Sequence, residues 1–80
     1  MKIPRDISGK ELCKYLKSYG YEISRQSGSH IRLTSEIKGQ HHITIPMHDP
    51  LKIGTLAAII SDIALHFSLN KEDLIKQLFS

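Results

Sequence analysis

Tyr21-Glu22-Ile23-Ser24-Arg25-Gln26-Ser27-Gly28-Ser29-His30-Ile31-Arg32-Leu33-Thr34 is the stretch that decides how this chain folds. Residues 21–26 alternate apolar and polar, Ser27-Gly28-Ser29 breaks the alternation, and residues 30–34 resume it, which is the pattern of a β-hairpin. Glu36-Ile37-Lys38-Gly39 supplies a second turn. His41-His42-Ile43-Thr44-Ile45 then reads as a third strand, closed by Pro46 because proline has no N–H to give to a ladder. Three antiparallel strands are expected. Side chains alternate across a strand, so if Ile31, Leu33, Ile43 and Ile45 face a core, then His30, Arg32, Thr34, His42 and Thr44 face the other way. A bulge at Gly28-Ser29 would instead turn His30 toward the rim.

Helices flank this sheet in the sequence. Ser8 and Glu11 have capping-box spacing, Leu12, Tyr15, Leu16 and Tyr19 recur at helical intervals, and Gly20 is a natural stop, giving a helix over roughly residues 9–19. Thr55 can cap a second helix whose Leu56, Ile59, Ile60, Ile63 and Phe67 form an apolar stripe, and Ser68 or Asn70 can start a third that carries Leu74, Ile75, Leu78 and Phe79. The reading is an α+β fold in the order α-β-β-β-α-α, with helices on one face of a three-stranded antiparallel sheet.

At 80 residues and 9.1 kDa, with 40% hydrophobic and 24% charged residues, residues 1–80 suit one small domain with a thin core. The formal charge is +3 and the basic residues are unevenly spread: seven against three acidic in residues 1–35, four against five in residues 36–80. The first half therefore favours an anionic partner such as nucleic acid. Cys13 is the only cysteine, which excludes an internal disulfide framework and a multi-cysteine zinc site, and suits a reducing compartment. The apolar runs fall far short of the ~20 residues of a membrane span, and residues 1–6 lack an apolar leader segment. A soluble, cytoplasmic protein with no membrane partner is expected.

His30 follows Gly28-Ser29 at the entry to a strand, where loop amides can approach an anion and the strand can hold the imidazole. A pKa of about 6.5 lets histidine take and give protons near neutrality. Metal-free RNA cleavage needs one such group to deprotonate the 2′-OH and another to protonate the leaving 5′-oxygen. Arg32, Lys10, Lys14 and Arg25 could hold the charged phosphorane. His48, on the loop after the third strand, is the candidate second acid or base. The plain alternatives are an exposed strand histidine with no duty and a turn histidine bonded to its own loop. A metal site is disfavoured, because His41 and His42 point to opposite faces and no helical His pair at i, i+4 exists. Cys13 sits between Leu12 and Lys14 without a fixed histidine beside it and reads as a small apolar side chain.

Ser8-Gly9-Lys10-Glu11-Leu12, the passage from Leu16 to Gly20-Tyr21-Glu22, Arg25-Gln26-Ser27-Gly28-Ser29-His30, Thr44-Ile45-Pro46-Met47-His48 and Lys52-Ile53-Gly54-Thr55-Leu56 through Ile59-Ile60 together resemble the HicA (YcfA-like) toxins, in order and over nearly the whole chain. The resemblance implies a double-stranded-RNA-binding-domain-like fold, mRNA interferase activity without a cofactor, and neutralisation by a HicB-type antitoxin that covers the active site. It places the family's catalytic histidine at His30, in Gly28-Ser29-His30, and matches His48 in position only. Two departures stand out: the C-terminal helix, residues 70–79, is longer than in compact members, and Lys52 alone precedes Gly54-Thr55 where duplex-RNA binders carry a lysine-rich helix start. Single-stranded mRNA is the better substrate, since a flexible backbone reaches in-line geometry that a duplex resists. Few aromatics are left to stack on bases, so sequence preference should be weak. A non-catalytic RNA-binding module and a metal-binding regulator are the other readings.

Overall fold

In the computed structural model, which describes residues 3–79, the chain forms α1 (Gly9–Tyr15), a 3-10 turn (Leu16–Tyr19), β1 (Glu22–Ser27), β2 (His30–Ser35), β3 (His41–Pro46), α2 (Ile53–Phe67) and α3 (Lys71–Phe79). This is the α-β-β-β-α-α order of an α+β domain. Helix α1 starts where it does because the Ser8 hydroxyl accepts from the Glu11 amide while the Glu11 carboxylate accepts from the Ser8 amide, each at 3.1 Å. Two otherwise unpaired donors are thereby satisfied. The helix tightens at Leu16 and ends at Gly20, where φ is 80° and a Cβ would come within 2.6 Å of Ile37 Cδ1. Only glycine fits that turn.

The sheet is antiparallel in the order β1-β2-β3. Ile31 lies opposite Ile45 and Leu33 opposite Ile43, and all four are buried. They share one core cluster with Leu12, Leu16, Leu56, Ile60, Ile63 and Leu74, each at most 1% exposed. Burying such a side chain contributes about 1.5–3 kcal/mol. Arg32, His42 and Thr44, between these positions, are exposed, so the helices cover one face of the sheet and leave the other open.

Three details differ from the sequence pattern. All six residues of β1 are exposed, Ile23 to 59%, because β1 is the edge strand and reaches beyond the helices. The bulge sits at Ser24, between the pairs Ile23–Leu33 and Arg25–Arg32, whereas Gly28-Ser29 forms a two-residue turn with Ser27 opposite His30 and a positive φ at Gly28. Helix α2 begins at Ile53, with Lys52 at the cap position and no side-chain cap, because the Lys52 carbonyl already accepts the Leu56 amide at 2.9 Å. Asn70 does cap α3, accepting from the Glu72 amide at 2.7 Å and the Asp73 amide at 3.4 Å. No single helix among the described residues is long and apolar enough to cross a membrane.

Helix α1 meets the end of β3 at Gly9. Its amide donates to the His48 carbonyl at 3.0 Å, and a Cβ there would collide with the Pro46 carbonyl oxygen and lie 2.9 Å from Met47 Cε. Gly9→Ala forces backbone apart from backbone and is expected to destabilise the domain by about 1–3 kcal/mol. Thermal unfolding followed by circular dichroism should show Tm lowered by roughly 5–20 °C.

Candidate active site at the hairpin corner

His30 opens β2, opposite Ser27 on one side and Pro46 on the other. Two backbone bonds draw the exit of β3 to the same corner: the Met47 amide donates to the Ser29 carbonyl at 2.7 Å, and the Gly9 amide to the His48 carbonyl. Gly28, Ser29, His30 and His48 therefore gather at one end of the molecule, with Lys10 following directly on Gly9. Both imidazoles are exposed, and among the described residues neither ring has a hydrogen-bond partner. A Cβ at Gly28 would meet nothing within 4 Å, so the turn is open to an approaching anion. Such a corner can present two proton-transfer groups to one substrate.

Arg25 and Arg32 face each other across β1 and β2 on the open side of the sheet, two residues along from His30. Lys10 and Lys14 lie elsewhere. They line a groove on the helix side, between α1 and β1, floored by Cys13, Tyr21, Ile23 and Leu33. The basic residues thus form two groups, one on each side of the edge strand. Burial pushes the Cys13 thiol up, partly offset by a backbone hydrogen bond, and a thiol held protonated is a poor nucleophile.

Sequence reading missed a second histidine cluster at the far end of the sheet. His41 and His66 stack with ring centroids 4.4 Å apart and planes within 9°. His41 Nε2 lies 3.2 Å from Asp62 Oδ1, and Nδ1 lies 2.6 Å from the Tyr21 hydroxyl. A carboxylate only accepts, so the neutral ring donates from Nε2 and accepts the Tyr21 proton at Nδ1. Asp62 and His66 are one turn apart on α2, a spacing that was available as a signal, but β3 as their partner was not. The cluster ties β3 to α2. Among the described residues no three His, Cys, Asp or Glu side chains converge as a metal site requires.

The fold and this corner define a small α+β domain that offers an exposed, unpartnered imidazole beside a glycine turn. Residues 9–65 match the family described as the HicA toxin of bacterial toxin-antitoxin systems, and the chain belongs to that family. It is a toxin by family; α3 falls outside the matched residues. Comparison with curated proteins and with solved structures finds no match.

Tyr21 carries a readable consequence of its surroundings. Burial, and secondarily the Asp62 carboxylate, push its hydroxyl from 10.0 up to about 12. The unfolded chain loses this proton near pH 10 and the folded chain near 12, so in that window the unfolded state binds fewer protons and stability falls as pH rises. Urea unfolding across that window should show the wild type losing roughly 1–2 kcal/mol more than Tyr21→Phe, which has no proton to lose.

Proposed function

We propose that this chain is a metal-independent endoribonuclease that cleaves single-stranded mRNA in the cytoplasm, with His30 as the proton-transfer group and His48 as its partner. The observation that carries the reading is the exposed His30 ring, free of protein partners, on the hairpin corner to which the segment bearing His48 is bonded. One imidazole takes the 2′-OH proton, the oxygen attacks the adjacent phosphorus in line, and the other imidazole protonates the departing 5′-oxygen. Gly28 and Ser29 offer backbone to the scissile phosphate, Arg32 and Arg25 bind the RNA from the open face, and Lys10 and Lys14 add positive field from α1. Tyr19 and Tyr21 each pack edge to face against Phe67, which leaves little aromatic surface for bases and supports weak sequence preference. A HicB-type antitoxin would silence the site by covering the hairpin corner.

In chelator, wild-type protein should cut labelled RNA, and His30→Ala should cut it roughly 10²–10⁴-fold more slowly with an unchanged fold. His48→Ala should also be slowed, and cells lacking antitoxin should tolerate His30→Ala. An alanine variant that still cuts RNA and arrests growth removes the reading. Wild-type protein that shifts RNA in a salt-sensitive way yet leaves it intact would make this a binding module instead, a reading that the facing arginines favour.

A further inference from the structure

The open face of the sheet holds a feature that proton transfer at His30 does not use. Arg25 and Arg32 are direct cross-strand neighbours, and like charges in that position repel. Among the described residues no carboxylate lies within ion-pair distance of either. Glu22, the acidic residue of β1, pairs with Thr34 in register on this face, and among the described residues it forms no ion pair with either arginine. Beside the arginines a shallow depression is completed by Ser24, Thr34, Gln40 and His42.

Hydrogen bonds across that depression have one direction. Ser24 Oγ donates to the Arg32 carbonyl at 3.2 Å, so its oxygen accepts the Thr34 hydroxyl proton at 2.7 Å. Thr34 has then spent its only proton, and the remaining contact, 2.7 Å to His42 Nδ1, requires the ring to donate. The chain makes His42 Nδ1 a donor and leaves Nε2 as the nitrogen available to a ligand, where the imidazolium form donates to a phosphate oxygen. Two unpaired guanidinium groups beside an oriented imidazolium suit a phosphodiester.

His42 stands opposite Thr34 while His30 stands opposite Pro46, four residues apart along β3 and therefore about 13 Å. One phosphate cannot touch both histidines. We infer that Arg25, Arg32 and His42 form a second phosphate subsite that grips single-stranded RNA away from the scissile bond, so that the substrate crosses the open face of the sheet. This rests on the RNA-cleaving reading and assigns His42 to binding, with Thr34 as its positioning residue.

The probe is a short single-stranded 2′-O-methyl oligoribonucleotide, which has no 2′-OH proton to give and stays intact. Fluorescence anisotropy over a salt series should show Arg25→Ala and Arg32→Ala each lowering the slope of log affinity against log salt by about 0.7. Affinity should fall roughly three- to tenfold in each, while Lys71→Ala, on α3, leaves binding unchanged. His42→Ala and Thr34→Val should weaken binding, and Thr34→Ser should restore it, which a merely structural Thr34 would not require of the hydroxyl. Arginine variants that bind like Lys71→Ala overturn the subsite. His30→Ala separates the two claims: it should bind the probe normally while failing to cut ordinary RNA. Cutting by that variant alongside the arginine losses would sink the catalytic reading and leave the subsite standing.

Discussion

Helix α1 reaches the sheet through a residue with no side chain. Because Gly9 brings backbone against Pro46 and Met47, its amide can take the His48 carbonyl, and the Leu51 amide takes the Ile7 carbonyl at 2.8 Å just beyond. A chain leaving β3 would otherwise have several directions open to it. Held at 7–9 and again at Ser29, it turns past the hairpin and places His48 near His30. The placement of these imidazoles is thus a packing outcome, set by van der Waals contact between main chains and not by any interaction of the rings themselves.

The two faces of the sheet have separate tasks, and adjacent residues serve different ones. His41 turns inward to Tyr21, Asp62 and His66, where side-chain exposure of 16% for the ring and 54% for the carboxylate makes the hydrogen bond between them only modestly stabilising. His42, next along the chain, turns outward to Thr34. The inner face supplies cohesion through Ile31, Leu33, Ile43 and Ile45, and the outer face is free to be polar because antiparallel pairing needs only one buried side.

Alternation is a local property, so the inner and outer residues of β2 and β3, the Ser8 capping box and the Asn70 cap were legible from the chain alone. What was not legible depended on distance partners. The pattern of β1 matches that of β2, yet Ile23 stays exposed because no helix lies over the sheet's edge. Thr55 looked like a cap, but the Lys52 carbonyl had begun the helix earlier. The exposure of His30 followed from alternation; its singling out as the proposed proton-transfer group came from the family pattern, because an isolated Gly28-Ser29-His30 says little about chemistry. The stacking of His41 on His66 required knowing that β3 lies beside α2.

The single extra residue at Ser24 acts on parity. Upstream of it, odd positions of β1 look toward the helices, as Ile23 does opposite Leu33; downstream, Arg25 is odd as well but looks outward opposite Arg32. Counted from the turn, where Ser27 stands opposite His30, Arg25 falls opposite Arg32 in either case; the insertion acts upstream, where it gives Ile23 the place beside Leu33 and the groove that regular pairing would give to Ser24. Whether the groove beside Cys13 is lined by an isoleucine or a serine is therefore decided by one residue of the edge strand.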